Sequence, residues 1–311
     1  MSYQLVDLKV GFTCNNNCIH CVVSDKRNEK DLSLEAIKKI IEDYIDQYNQ
    51  INLTLTGGEI TYREDYRQIM QFIKEKKNRG SIDFVDIQTN GRMLSHDKIL
   101  EETLSVVDFY LIALHSNNSE IHDYITSCQS SFLETTAALA KLTSMINVKS
   151  IAIQTVISKK NYKGLKDVYK FVREQYGILE CNITFPHPLG VAYDMEIIPT
   201  YHEIKEDVND ALKYCLENDM NPYLEALPYC VFEEKLRIYA LEYYKKRNQN
   251  VVGYGGEKDG HIDYKIVNEE GYAKYDTCKK CSYDNCCLGV WKEYKQLYPL
   301  KDMYSMLSNN L

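Results

Sequence analysis

The sequence predicts an α/β fold, an open, partial (β/α)6 TIM-like barrel with a small region appended at its C-terminal end. Two observations carry the expectation. Short segments rich in β-branched and aromatic residues alternate with segments of helical period through the first two-thirds of the 311-residue chain, the pattern of a parallel sheet with helical crossovers. There are six such units, too few for the eight of a closed barrel, and the alternation stops after Phe185.

In order, the strand candidates are Leu5 to Phe12, Ile51 to Thr56, Phe84 to Thr89, Phe109 to His115, Ile151 to Ser158 and Asn182 to Phe185. Between the first two, Leu34, Ile37, Ile41, Tyr44 and Tyr48 share one helical face. Leu165, Val168, Val172 and Tyr176 do the same ahead of the stop signal Gly177. Beyond Phe185, Tyr201 to Asn218 and Phe232 to Asn248 read as helices, and a glycine-rich stretch runs from Gly253 to Gly260. Tyr264 to Val267 and Tyr272 to Tyr275 flank Asn268-Glu269-Glu270-Gly271, which reads as a β-hairpin. A boundary near Pro199 divides the chain into residues 1–199 and 200–311, with no repeat or low-complexity tract in either part.

A hydrophobic content of 44% is enough to bury a sizeable core. The net charge of -8 supplies no basic field for a phosphate backbone, so no nucleic-acid partner is expected. The opening MSYQLVDLKV has no basic leader followed by an apolar run, and no apolar stretch is long enough to span a bilayer. A cytoplasmic location without a membrane partner is the expectation. The first strand begins almost at once, so no separate leader-peptide-binding domain is expected ahead of it.

Eleven cysteines in such a chain call for metal binding or catalysis, because a reducing compartment disfavours structural disulfides. Seven of them fall in two regions: Cys14, Cys18 and Cys21, and Cys278, Cys281, Cys286 and Cys287. The first three lie in FTCNNNCIHC, directly after the first strand candidate. Three close thiolates can wrap the corner of an iron-sulfur cluster, and a set one short of full ligation leaves one iron open. A zinc site completed by His20 or a distant residue is the alternative that spacing alone leaves standing.

The arrangement Cys14-x3-Cys18-x2-Cys21 resembles the signature of the radical S-adenosylmethionine (SAM) superfamily, and further matches fall at the ends of successive strands. Thr56-Gly57-Gly58-Glu59 resembles the superfamily's Gly-Gly-Glu motif, in which the carboxylate meets the amino group of the cofactor's methionine. Two glycines would let backbone approach a ligand closely, and Glu59 can pair with an ammonium. Gln88-Thr89-Asn90-Gly91 and Leu114-His115-Ser116 resemble pocket-lining positions, with turn chemistry and a satisfied buried histidine as the plain alternatives. Gln154 and Thr155 on the fifth strand and Pro186-His187-Pro188 after the sixth are weaker candidates. The resemblance spans roughly residues 5 to 190. His20 stands where the superfamily often has a large aromatic that seats the adenine.

The resemblance implies a [4Fe-4S] cluster whose open iron chelates S-adenosylmethionine, and reductive cleavage to a 5′-deoxyadenosyl radical that abstracts hydrogen from a substrate. An external donor such as flavodoxin or ferredoxin would supply the electron. It also implies cofactor-binding roles for His20, Gly57, Gly58, Glu59, Thr89, Asn90, His115, Ser116 and Gln154. Near the other end, Cys278-x2-Cys281-x5-Cys287-Leu-Gly resembles the shortened auxiliary-cluster domain called Twitch, related to the longer SPASM domain. That likeness implies one auxiliary [4Fe-4S] cluster held by Cys230, Cys278, Cys281 and Cys287, with Cys286 as the competing ligand and structural zinc as the alternative metal. Cys128 is a candidate hydrogen donor after the fourth strand, against the plainer reading of a free loop residue. Cys181 and Cys215 read as packing residues.

Maturases pair such a core with such a domain, so the expected substrate is a ribosomal peptide or a protein side chain. Thioether or carbon-carbon crosslinking, epimerisation and oxidation are all compatible products. A small-molecule dehydrogenase or carbon-skeleton enzyme is the second reading. A non-catalytic zinc or iron-sulfur sensor or scaffold is the third, and it would not need Gly-Gly-Glu on the adjoining strand.

Overall fold

The structure, a computed structural model, describes residues 4–240, 251–256, 260–263 and 270–298. Seven parallel strands run in sequential order: β1 (Gln4–Lys9), β2 (Ile51–Thr56), β3 (Ile82–Thr89), β4 (Phe109–Ala113), β5 (Ile151–Val156), β6 (Glu180–Thr184) and β7 (Asn221–Glu225). On the far side of β1, β8 (Val251–Tyr254) pairs in parallel and β9 (His261–Asp263) pairs antiparallel to β8. The helices are α1 (Leu34–Tyr48), α2 (Tyr66–Asn78), α3 (Asp97–Leu104), α4 (Ser119–Thr126), α5 (Ser131–Met145), α6 (Leu165–Tyr176) and α7 (Tyr201–Glu217). A short α8 (Lys292–Leu297) follows near the C-terminal end. This is the partial-barrel architecture that the strand and helix patterns predict.

Local chemistry explains where the helices begin and end. Ser33 Oγ accepts the Ala36 N–H at 3.2 Å and opens α1, whose Ile37, Ile40, Ile41 and Tyr44 are buried. Gly177 closes α6 in the left-handed conformation, φ 68, as its place after the apolar face predicts. Thr200 and Glu203 cap each other's backbone at the start of α7. Along the strands one face is apolar and buried under the helices: Val6, Leu8, Leu53, Leu55, Val85 and Ile87 all have 1% exposure or less. Burying each such side chain contributes about 1.5–3 kcal/mol before entropy is counted.

Two expectations change, and a third falls partly outside the described residues. The sheet reaches beyond Pro199, because β7 lies against β6 and β8 against β1. Phe232 to Asn248 does not begin as a helix: Glu234–Leu236 is a 3-10 turn, residues 237–240 are helical, and 241–250 lie outside the described residues. The first arm of the expected hairpin also lies outside them. Its second arm begins as β10 (Tyr272–Ala273), which pairs antiparallel with β11 (Val290–Trp291), bracketing the cysteine segment between the two strands.

Contacts between C-terminal region and barrel run through aromatic rings. Trp291 stacks on His187 with centroids 4.0 Å apart and on Tyr272 at 4.1 Å, and His187 Nε2 is 2.8 Å from Glu293 Oε2. Tyr298 Oη donates to the Ile198 carbonyl at 2.6 Å, and the Tyr201 N–H donates to Tyr294 Oη at 3.1 Å. His187, a weak pocket candidate in the sequence, therefore serves at this junction.

Candidate functional site

The cysteine loop leaves β1 and is held from three sides. Asp31 Oδ1 accepts the Phe12 and Thr13 N–H groups at 2.7 and 3.1 Å, while Arg63 donates to the Val10 and Leu32 carbonyls and pairs with Asp65 at 2.8 Å. From the β2 side, Gly58 N–H donates to Gly11 O at 2.8 Å and Glu59 N–H to Thr13 O at 2.9 Å. From α4, the Thr126 and Ile125 carbonyls accept the Asn17 and Ile19 N–H groups, each at 2.9 Å. A Cβ on Gly57 would stand 2.3 Å from Gly11 O, and one on Gly58 would stand 2.2 Å from Thr13 O. The two glycines are thus required where backbone meets backbone, since a side chain at either position would collide with the loop after β1.

Behind them Glu59 is 2% exposed and gathers the ends of β2 and β3. Its Oε1 accepts from Thr61 N, Thr61 Oγ1 and Thr89 Oγ1 at 3.2, 2.5 and 2.8 Å; its Oε2 accepts the Asn90 N–H at 2.7 Å. Burial pushes this carboxyl above its usual range, and the four donors offset part of that push. Oε1 is saturated by protein donors, whereas Oε2 keeps acceptor capacity for a ligand ammonium. Asn90 Nδ2 donates to Asn15 Oδ1 at 2.7 Å, and Arg92, a residue the motif reading passed over, donates to Asn16 Oδ1 at 2.8 Å and pairs with Glu134.

Burial raises the Cys14 thiol to about 11, with the Glu59 charge adding to it, and raises Cys18 further with Cys14 and Cys21 close by. Thiols so placed favour a positive metal centre that takes over their charge. A tetrahedral zinc ion with Zn–S near 2.3 Å would need thiolates about 3.8 Å apart. Among the described residues, the group of three ligating atoms mutually within 4.8 Å is Cys18, His20 and His115, and Cys14, Cys18 and Cys21 form no such group. The three sulfurs therefore do not all close on a single ion, while Cys18, His20 and His115 lie close enough together to share one.

His20 is 7% exposed, meets His115 edge to face at 4.6 Å, and its Nδ1 has no protein partner. Burial holds its pKa down at about 4, so it is neutral at ordinary pH and able to offer a lone pair or an N–H to a neighbouring group. His115 lies at the end of β4, its Nδ1 facing the Val156 N–H at 3.4 Å, while Asn161 Nδ2 donates to its carbonyl at 2.8 Å. Ser116 Oγ accepts the Asn118 N–H at 3.0 Å, a turn contact, and Gln154 Nε2 donates to Thr184 Oγ1 at 3.3 Å. Cys128 sits beyond β4 in the turn between α4 and α5, with its thiol 3.8 Å from Gln129 O.

The second cysteine group converges in space. Cys230, Cys278, Cys281 and Cys287 line one pocket with Tyr229, Tyr275 and Tyr283, whereas Cys286 is exposed and stands outside it. Burial pushes Cys230 up to about 12, and the neighbouring Cys287, Cys278 and Cys281 add to the shift. Gly289 (φ 92) makes the turn back to β11, where a Cβ would meet Ala273 O at 2.2 Å. Cys181 and Cys215, by contrast, are buried in the β6–α7 packing with sulfurs 3.6 Å apart.

A family model described as the radical SAM superfamily matches residues 8–172, more than half of the chain and all of the first site. The chain belongs to the radical SAM superfamily. It is therefore an enzyme, and its cofactors are a four-iron cluster and S-adenosylmethionine. Over 215 residues this radical SAM protein is 30% identical to a probable GTP 3′,8-cyclase of Sulfurisphaera tokodaii, covering 68% of this chain and 64% of that one. It is 26% identical over 165 residues to the antilisterial bacteriocin subtilosin biosynthesis protein AlbA of Bacillus subtilis, covering 52% and 35%. In fold it matches the crystal structure of Streptococcus suis SuiB bound to precursor peptide SuiA, with a TM-score of 0.64, 12% identity, and coverage of 97% of this chain and 75% of that one. No helix among the described residues is long and apolar enough to cross a membrane.

Proposed function

We propose that this radical SAM enzyme modifies a ribosomally made peptide or a protein side chain. The observation that carries the reading is the second pocket, where four cysteine thiols converge on a region that also packs against the barrel through His187 and Trp291. The likeness to AlbA in sequence and to SuiB in fold supports it.

Cys14, Cys18 and Cys21 would hold the cluster with one iron free for the cofactor, and Glu59 Oε2 would accept from the cofactor's ammonium beside Asn90. His20 and His115, buried and neutral, would border the adenosine moiety. When bound, cluster and cofactor supply a 5′-deoxyadenosyl radical able to take hydrogen from a substrate C–H. The protein's own part is to hold the substrate and exclude competing hydrogen donors. Cys230, Cys278, Cys281 and Cys287 would fully ligate an auxiliary four-iron cluster, leaving it electron transfer or support as its role. A flavodoxin or ferredoxin would supply the electron.

The relationship to the probable cyclase favours a second reading, a nucleotide substrate. The test is anaerobic turnover with a deuterium-labelled candidate peptide. Deuterium appearing in 5′-deoxyadenosine supports the peptide reading, and label arriving only from small metabolites overturns it. Replacing Cys14, Cys18 and Cys21 together with Ala should remove about four irons and end deoxyadenosine formation.

A further inference from the structure

Arg92 stands where the chain leaves β3, and it grips the cysteine loop. Its guanidinium donates to the Asn15 carbonyl and, at 2.8 Å, to Asn16 Oδ1, while its Nε is 2.5 Å from Glu134 Oε2 on α5. The two residues it holds adjoin Cys14. Asn16 N–H donates to Cys14 Sγ at 3.4 Å, and Asn90 Nδ2, which donates to Asn15 Oδ1 at 2.7 Å, stands 3.9 Å from the same sulfur. Asn90 is fixed in turn by the Arg92 N–H, which donates to its Oδ1 at 3.0 Å, and by Thr135 Oγ1, which donates to its carbonyl at 2.9 Å. Arg92 therefore holds the donors that face one sulfur, and it brings a permanent positive charge to the same loop.

Its counter-ion does not cancel that charge evenly. The Arg92 side chain is 13% exposed and that of Glu134 38%, so water screens the anion more than the cation. Arg27 reaches the loop at Asn17, but through an exposed contact. Glu59, the buried carboxyl that accepts the Asn90 N–H, acts on the loop with the opposite sign until a ligand ammonium meets it. The potential of an iron-sulfur cluster follows the charge around it and the hydrogen bonds to its sulfurs. When one electron enters from an external donor, no bond forms or breaks and the cluster gains one negative charge. A nearby cation and N–H donors stabilise that reduced form more than the oxidised one.

We infer that Arg92 is a positioning residue that raises the reduction potential of the cluster at Cys14, Cys18 and Cys21, through its own charge and through the Asn16 and Asn90 donors it holds at Cys14, and that Glu134 moderates the effect. The inference rests on the ligand assignment proposed above and adds to it what makes the cluster reducible by a donor of the flavodoxin or ferredoxin class.

The test takes the full-length reconstituted enzyme through stepped potentials anaerobically and reads the reduced cluster by electron paramagnetic resonance. The signal that changes on adding S-adenosylmethionine identifies the first cluster and separates it from the auxiliary site. At a fixed potential, Arg92→Gln should lower the ratio of reduced to oxidised cluster about tenfold, which is 59 mV for one electron. Glu134→Gln should raise the ratio. Both substitutions break the same ion pair, so a merely structural role would move them in one direction or change iron content alone, whereas opposite signs belong to the charge. Should the glutamine variant take up no iron, Arg92→Lys carries the test: it keeps the charge, loses the fork that holds Asn15 and Asn16, and should shift the same way by less. An unshifted or higher potential in the Arg92 variant that holds iron, or anything but a rise in Glu134→Gln, overturns the inference and leaves the ligand assignment standing. A cofactor-responsive signal that survives replacement of Cys14, Cys18 and Cys21 with Ala overturns the ligand assignment, and the inference with it.

Discussion

Adding one methyl group at Gly58 should damage both the fold and the metal site. The Cβ of Gly58→Ala would stand 2.2 Å from Thr13 O and 2.7 Å from the Phe12 carbonyl carbon, both backbone atoms that no rotamer change can move. Restoring ordinary contact requires the β1 and β2 loops to part by about 1 Å. That separation breaks the hydrogen bonds from Gly58 N to Gly11 O and from Glu59 N to Thr13 O, 2.8 and 2.9 Å. Each is worth about 0.5–1.5 kcal/mol, and a buried group left unpaired costs more, so the loss should be about 2–4 kcal/mol. For a chain of this size each kcal/mol moves Tm by about 2–4 °C, giving a fall of about 5–15 °C in the metal-free protein. Iron retention after anaerobic reconstitution should fall as well, because Cys14 follows Thr13. Gly164→Ala, with no atom within 4 Å of the added carbon, is the control and should stay within about 1 kcal/mol of wild type. A Gly58→Ala protein with unchanged Tm and full iron would refute the argument from backbone contact.

Glu59→Gln should keep its iron but bind S-adenosylmethionine about 10- to 100-fold more weakly in equilibrium dialysis, since one charge-assisted contact is worth about 1.5–3 kcal/mol. Unchanged affinity would reject the role given to Oε2. Replacing Cys278 and Cys281 with Ala should lower iron from about eight to about four per chain, while Cys286→Ala leaves it at about eight; an iron loss on replacing Cys286 alone would reassign the ligand. Burial pushes Asp86 from 3.8 up to about 7, so the native state binds its proton more tightly than the unfolded chain does. Its contribution should make stability fall as pH rises from about 4 to about 7 and then level off. Asp86→Asn should flatten that slope in urea unfolding at successive pH values, and a variant with the wild-type slope would exclude Asp86 as its source.

The first six strands were legible because each is a short β-rich run followed by helical spacing, and the cysteine and Gly-Gly-Glu segments could be placed at their ends. Missing from that reading was β7, whose Asn221-Pro222-Tyr223 start argues against a central strand; the structure puts it at the sheet edge, where a proline is tolerated. The glycine in Val251–Tyr254 masked β8 in the same way. Gly57 and Gly58 are found by motif, but their contact with the backbone at Gly11 and Thr13 is some forty-five residues away in sequence and no local pattern reports it. His187 was seen only as a rim residue, since its stacking partner Trp291 lies about a hundred positions on.

The two hydrogen bonds from the cysteine loop to the end of α4 set an order of events. Asn17 and Ile19 give their N–H groups to carbonyls of Thr126 and Ile125, which terminate a helix more than a hundred residues downstream. While the protein is being synthesised, the three thiols emerge long before the carbonyls that shape their loop. The nascent N-terminal segment therefore lacks the frame in which iron and sulfide are to be received, and cluster insertion must wait until β4 and α4 have docked. Ribosome-bound chains truncated before α4 should be poor acceptors in cluster transfer, and those extending past it good ones. A substitution in α4, far from any cysteine in sequence, could then surface as a defect in cofactor loading.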